Sequence, residues 1–314
     1  LQERALRELM RLDRVLVGVI AQTGGNTQLR SLLKQAREAI EEHVEKAKLA
    51  ALADEERLII AEASAATGTI NTAIGAPLAT APASQAYIAS VQSRALLMGA
   101  PAAEWWSRQS ARTFQRFSDV VRNGVVLGDS VQTMTANWRA ASGQLRRNAE
   151  AQVRTGVLSV SNAARVETFR RNADVVRGLV AVATLDTRTS PICRARDGMV
   201  WALDDPNFPG PPPWHWNCRT TLAPVLKDFD SLPDSAKAKV PQGMRASMNG
   251  QVPADMTYDE FLKSLPEEQQ IDVLGRRKWE IWKRKGLSVR DMVDQRGRYL
   301  TIEELEKRYA LDQV

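Results

Sequence analysis

The stretch that decides the fold is LVAVATLDTRTSPICRARDGMVWALDDPNFPGPPPWHWNCRTTLAPV, residues 179–225. It contains both cysteines, one of the two histidines and three of the eight tryptophans of the 314-residue chain. Short apolar runs separated by turn residues replace the helical periodicity found on either side. We predict strands over 179–185, 199–203 and 220–225, which together form a small antiparallel sheet.

The composition favours a folded protein made mostly of helices. Apolar residues account for 44% and charged residues for 25% of the chain. The net charge of +6 permits contact with nucleic acid but does not require it. No apolar run approaches the roughly 20 residues that cross a bilayer, so we expect no membrane contact. Two cysteines exclude a disulfide-stapled scaffold and are compatible with synthesis in a reducing cytoplasm.

The fold class predicted from these patterns is mainly α with a small antiparallel β-sheet (α+β). Apolar stripes on the first helices favour packing against other helices, including those of a second copy. The predicted segments are an N-terminal helical arm (1–64), an Ala/Pro/Gly-rich linker (65–84), a core of helices followed by the sheet (85–226, with the sheet at 179–225), a polar linker (227–256) and a helical tail (257–314).

Local signals mark where the helices begin and break. Asp54 indicates the start of a new helix within the arm, and Asn123-Gly124 and residues 159–162 are predicted breaks. In the tail, Thr301 followed three residues later by Glu304 predicts a capping box.

Three side chains in the opening stretch could bind a metal ion. Cys193, His215 and Cys218 are zinc-ligand types, with His215-x-x-Cys218 as one close pair, and Asp186 or Asp197 could add a fourth ligand. A strong zinc pattern has two close pairs. A disulfide between the cysteines and two free, buried thiols therefore stay open as alternatives. A catalytic thiolate with His215 as its base is a further reading, but no nucleophile signature supports it, so we predict no enzyme.

The tail contains the basic run GRRKWEIWKRKG at residues 275–286. Trp279 and Trp282 lie on one helix face, which favours an amphipathic helix anchored by its tryptophans. The alternative is contact with nucleic-acid phosphates. The residues that would make that contact are Arg276, Arg277, Lys278, Lys283, Arg284 and Lys285.

The run ATLDTRTSPICRARDGMVW, followed by a proline-rich spacer and PPPWHWNCRTTL, resembles the Mu F-type phage head morphogenesis (minor head protein) family. That family's pattern is an Asp-x-Arg-(Thr/Val) turn, a Cys, an (Asp/His)-Gly turn and a closing Pro-Pro-x-His-x-x-Cys-Arg. Thr220 stands where many members have a further cysteine, which weakens the case for a multi-cysteine metal site. The matching residues are Asp186, Arg188, Thr189, Cys193, Asp197, Gly198, Pro212, Pro213, His215, Cys218 and Arg219.

The resemblance implies a compact Mu F-like core and a minor structural protein of a phage head. Such a protein lies inside the virion near the portal and acts in head assembly, DNA packaging or DNA delivery. The implied partners are the portal protein, the major capsid protein and packaged double-stranded DNA. An alternative function is sequence-independent DNA binding during packaging or ejection, and a third class is a nuclease or thiol-dependent enzyme. We expect no cofactor other than a structural zinc ion, and we expect Asp186, Arg188, His215 and Arg219 to brace the loop.

Overall fold

The computed structural model describes residues 2–24, 28–82, 84–227 and 243–309. Its contacts divide the chain into two compact units. The helical unit comprises Leu1–Ile60 and Ile88–Ser161, and the sheet unit comprises Ala61–Tyr87 and Asn162–Val314. The predicted fold class is confirmed, because long helices are combined with a small antiparallel sheet. None of the helices in the described ranges has the length and the apolar run that crossing a bilayer requires.

Five α-helices precede the sheet in the part of the chain that the structure describes. Their apolar residues recur every three or four positions, so that each helix has a face that can be buried. Buried side chains of the helical unit include Leu16, Ile40, Phe117 and Trp138, and the last two rings meet edge to face with centroids 5.2 Å apart. The helices are α1 (Gln2–Ala21), α2 (Leu29–Ile74), α3 (Gln85–Arg94), α4 (Ala102–Leu127) and α5 (Val131–Arg171).

Helix α2 is longer than predicted. It continues past Asp54, which is not a helix start, and through residues 65–74, which were predicted to open a linker. The buried side chains of Ala66, Ile70 and Ile74 pack in the core of the sheet unit. Burial of this apolar stripe outweighs the weak helix propensity of the Thr- and Gly-containing sequence.

The predicted breaks in α4 and α5 are also wrong. Helix α4 passes through Gly124 and ends at Gly128, whose φ of 70° is left-handed. A Cβ at Gly124 would lie 2.4 Å from the Met134 side chain, so this glycine permits close packing. Helix α5 passes through residues 159–162. There Ser159 donates to the carbonyl of Leu96, and Asn162 donates to the carbonyl of Thr220.

The predicted antiparallel sheet is present in the sheet unit. Its strands are β1 (Val176–Val182), β2 (Val200–Ala202) and β3 (Thr221–Leu226), in the order β2-β1-β3. Strand β1 begins and ends three residues earlier than predicted, and it pairs closely with β2 at Gly178. A Cβ there would lie 2.6 Å from the backbone oxygen of Trp201 on β2, so only glycine allows this pairing. A short helix that was not predicted, α6 (Pro191–Arg196), lies between β1 and β2.

Residues 243–309 contain more regular secondary structure than predicted. A β-hairpin of β4 (Met244–Ser247) and β5 (Gly250–Pro253) lies in the predicted linker 227–256, of which residues 228–242 are outside the described part. Whether the predicted segment boundaries separate domains stays a prediction. The tail is helical as predicted, with the capping box at Thr301 and Glu304 confirmed. Its helices are α7 (Tyr258–Ser264), α8 (Glu267–Leu274), α9 (Arg276–Lys285) and α10 (Ile302–Arg308).

Candidate functional site

A turn after β1 is held by the Asp186 carboxylate. It accepts hydrogen bonds from the backbone NH of Arg188 and the hydroxyl of Thr189, both at 3.0 Å. It also receives two hydrogen bonds from the Arg219 guanidinium, one of 2.8 Å. Burial opposes ionisation of Asp186, but the hydrogen bonds from Arg219 and Thr189 outweigh it, and the pKa of Asp186 lies below its ordinary value. This pair ties the turn to the end of the loop that precedes β3.

Cys193, His215 and Cys218, which the sequence offers as candidate metal ligands, lie close together. Cys193 lies on α6, and its sulfur is 3.2 Å from His215 Nε2 and 3.6 Å from the sulfur of Cys218. All three candidate ligand atoms lie within 4.8 Å of one another. Both cysteines are buried, and both are free thiols rather than a disulfide.

The loop before β3 fixes the orientation of His215. The Nδ1 atom of His215 lies 2.8 Å from the carbonyl oxygen of Trp216 and donates a hydrogen bond to it. This bond leaves the Nε2 atom of His215 directed at the sulfur atoms. The NH of Cys218 donates to the carbonyl of His215 across a turn in which Asn217 has a φ of 57°, a left-handed value that asparagine tolerates. Trp214 anchors the loop through its ring contact with Trp201, at 6.4 Å between centroids.

The three groups differ in their protonation. A hydrogen bond from Cys193 and another from His215 lower the pKa of Cys218. The same bond to Cys218, together with burial, raises the pKa of Cys193. The hydrogen bond with Cys218 raises the pKa of His215.

Neither Asp186 nor Asp197, the two aspartates that the sequence offers as a fourth metal ligand, joins the Cys/His cluster. Asp186 is engaged by Arg219, and Asp197 forms a buried ion pair with Arg245, with nitrogen–oxygen distances of 2.8 and 3.1 Å. Asp197 also accepts hydrogen bonds from the backbone NH groups of Ala183 and Tyr258. The Asp197 carboxylate is thus a junction between the sheet, α6 and the tail.

The other predicted motif residues have backbone or packing roles. Gly198 has a left-handed φ of 72° and donates its NH to the carbonyl of Ala181. Pro212 is buried and Pro213 half-buried, while the Arg188 side chain is exposed. The predicted bracing by Asp186, His215 and Arg219 agrees with the contacts described above.

Sequence reasoning missed two buried arginines. Arg245 lies beyond the Mu F-like motif and pairs with Asp197. Arg194 is 7% exposed and donates to the Tyr299 hydroxyl and to the carbonyls of Val273 and Thr187. No sequence signal separates such arginines from the many solvated ones, because burial depends on contacts between distant segments.

The basic residues of the tail lie on α9. Trp279 and Trp282 are buried, so they anchor the helix and do not offer surfaces on which bases could stack. Lys283 pairs with Glu267 at 3.0 Å, and Lys278 is half-buried over the Tyr299 ring. Burial lowers the pKa of Lys278. The remaining predicted residues are exposed: Arg276, Arg277, Arg284 and Lys285.

A family model described as "Phage Mu protein F like protein" matches residues 115–223. The match runs from the middle of α4 to β3, and so it includes the Cys/His cluster and most of the sheet. Neither the comparison with curated proteins nor the comparison with solved structures gives a match. The resemblance seen in the sequence is thus confirmed over residues 115–223, where the chain is similar to the Mu F-like phage head morphogenesis family.

Proposed function

We propose that the chain is a minor structural protein of a phage head, which associates with the portal protein and the inner capsid and acts in head assembly, DNA packaging or DNA delivery. The family match over residues 115–223 is the observation that supports this proposal. The place we assign to it is inside the virion near the portal.

The size of the space beside the Cys/His cluster favours a structural role over a catalytic one. The cavity lined by Cys193 and His215 has a volume of about 20 Å³. This is room for about one water molecule, whereas small-molecule sites usually measure 300–1,000 Å³. The Asp186–Arg219 pair and the Asp197–Arg245 pair hold the surrounding segments together. We therefore propose a braced scaffold with no enzymatic role.

The end of α4 is the surface we assign to contact with the portal protein. Val126 and Leu127 are 84% and 75% exposed, and Val125 beside them is 47% exposed. Adjacent exposed apolar side chains of this kind mark surfaces that a protein partner covers. These residues lie inside the family match. They are therefore better candidates for contact with the portal protein than isolated exposed apolar residues elsewhere.

The test is incorporation into heads assembled in cells that co-express the chain with the head proteins of its phage. We expect the V126S/L127S variant to be much depleted from purified heads, as measured by quantitative mass spectrometry. The control is L49S, because Leu49 is 56% exposed but lies outside the family match. Incorporation of V126S/L127S at the wild-type level, with the fold intact by circular dichroism, contradicts the assigned surface.

A second candidate function is sequence-independent DNA binding in packaging or ejection. It is favoured by the exposed arginines Arg276, Arg277 and Arg284 on α9. Each phosphate contact releases counterions, so the affinity for duplex DNA falls as the salt concentration rises.

We expect R276Q/R277Q/R284Q to reduce the slope of log affinity against log salt by about 3. The matched control, R4Q/R30Q/R112Q, removes the same charge from exposed residues elsewhere. Equal effects of the two triple variants, or no binding of the wild type at low salt, remove this candidate function while leaving the head protein proposal in place.

A further inference from the structure

We propose that Cys193, His215 and Cys218 bind one Zn²⁺ ion per chain, with a water molecule as the fourth ligand, and that this ion ties the loop preceding β3 to α6. The three candidate ligand atoms lie within 4.8 Å of one another. Two sulfurs and an imidazole nitrogen are the donors that zinc prefers.

The separations between these atoms fit a tetrahedral site. Zinc–sulfur bonds of about 2.3 Å and zinc–nitrogen bonds of about 2.0 Å place two sulfurs about 3.8 Å apart and a sulfur and a nitrogen about 3.5 Å apart. The observed distances are 3.6 Å between the sulfurs and 3.2 Å from Cys193 Sγ to His215 Nε2. For these two pairs shifts of a few tenths of an ångström suffice, and the third separation, from Cys218 Sγ to His215 Nε2, is no more than 4.8 Å. A disulfide requires about 2.05 Å between the sulfurs, which is much further from the observed arrangement.

The surroundings of His215 favour metal binding. Metal-bound histidines usually donate their other ring NH to a carbonyl or carboxylate, which fixes the tautomer and the ring orientation. His215 Nδ1 makes such a bond to the carbonyl of Trp216. Its Nε2 therefore faces the Cys193 sulfur, 3.2 Å away, without rearrangement of the loop, and a bound zinc ion would take the place of a proton on Nε2.

The fourth position is assigned to water because no further ligand joins the cluster among the described residues. The cavity beside Cys193 and His215, about 20 Å³, has room for one water. It is also lined by Arg188, Asn217 and Arg219, which carry polar or charged groups that a bound water can contact.

The metal gives the loop before β3 a second attachment. This loop has no regular secondary structure, and ring contacts of Trp214 and Phe208 with Trp201 hold its middle. The coordination bonds from His215 and Cys218 would hold its end against α6. Metal removal is thus expected to loosen residues 203–220 while leaving the long helices intact.

The test uses the reduced full chain carrying a tag without histidines. We expect one zinc ion per chain by plasma mass spectrometry, and one Co²⁺ after exchange, with a sulfur-to-cobalt charge-transfer band and the intense visible bands of tetrahedral cobalt. Both thiols should become accessible to alkylation only after chelation. Hydrogen exchange should then accelerate over residues 203–220.

Single substitutions test the ligands. H215A and C218S should lose stoichiometric metal, and H43A, which removes the other histidine of the chain, should retain it. If a cysteine variant fails to fold, the metal content of H215A still tests the proposal. His215 is only half-buried, so its loss leaves no large void. The proposal is overturned if H215A retains one metal ion per chain or if the reduced wild type takes up no metal. It is also overturned if the mass of the protein is lower by two hydrogens, which indicates a disulfide.

Discussion

Removal of the Arg245 guanidinium tests the junction between the Mu F-like segment and the tail. Arg245 and Asp197 form an ion pair with side chains 9% and 1% exposed. In R245M the Asp197 carboxylate remains buried and loses its cationic partner. Breaking a buried pair from one side usually costs about 3 to 5 kcal/mol, because an uncompensated charge is left behind.

The remaining contacts of Asp197 place the expected cost at the lower end of that range. Two backbone NH groups, of Ala183 and Tyr258, still donate to the carboxylate at 2.8 Å. The carbonyls of Ala183 and Met256 lose their bonds from Arg245, which adds to the cost. We expect the free energy of unfolding of the sheet unit to fall by about 3 kcal/mol. The double variant D197N/R245M should recover part of this loss, since no charge remains buried.

The assay is urea unfolding of the full chain followed by tryptophan fluorescence, together with hydrogen exchange at Ala183 and Tyr258. The control is K283M, which breaks an ion pair with Glu267 whose two side chains are each 59% exposed. Exposed pairs contribute about 0 to 1 kcal/mol. If R245M destabilises no more than K283M, and the two amides exchange at the wild-type rate, the buried pair does not hold the tail to the sheet.

Two further predictions concern the sheet and its first turn. G178A should destabilise the chain by about 1 to 3 kcal/mol in thermal or urea unfolding, because its Cβ would meet a backbone oxygen of β2. By contrast, G156A, with open space around its Cβ in α5, should stabilise the chain by up to about 1 kcal/mol. Hydrogen bonds from Arg219 and Thr189 lower the pKa of Asp186 in the folded state despite its burial. Its stabilising contribution is therefore complete above the ordinary value of about 3.9 and is lost as the pH falls through the lower folded pKa. Acid unfolding followed by circular dichroism should show a shallower decline for D186N than for the wild type or the exposed control D204N, and identical acid profiles would contradict this linkage.

Local sequence signals predicted those elements whose formation depends on neighbouring residues. Short apolar runs between turn residues predicted the three strands, and Thr301 with Glu304 predicted a helix start that the structure confirms. The close approach of the Trp201 backbone to Gly178 is a contact between two strands. That contact is not visible in the residues of β1 alone.

The wrong helix breaks have a common cause. Gly124 and Asn162 are residue types that usually end helices, and a single sequence gives no view of what faces them. Gly124 allows Met134 to approach closely. Asn162 has no exposed surface and bonds to residues of β3. In both cases a contact with a distant segment outweighs the local preference.

Only part of the candidate site could be predicted, because some of its contacts join residues that lie far apart in the sequence. Cys193, His215 and Cys218 are rare residue types that stand out in the composition, so they could be named as candidate metal ligands from the sequence. Arg245 is one of many basic residues and lies 48 positions from Asp197. Its role depends on how the hairpin of β4 and β5 packs, which the sequence pattern does not specify.

We propose that the Mu F-like segment, residues 115–223, works inside a phage head and contacts the portal. Cross-linking mass spectrometry of purified heads tests it most directly. We predict cross-links between residues 115–223 and the portal protein, and fewer copies of the chain than of the major capsid protein. Recovery of the chain only outside the heads, with no cross-link to any head protein, would contradict the account.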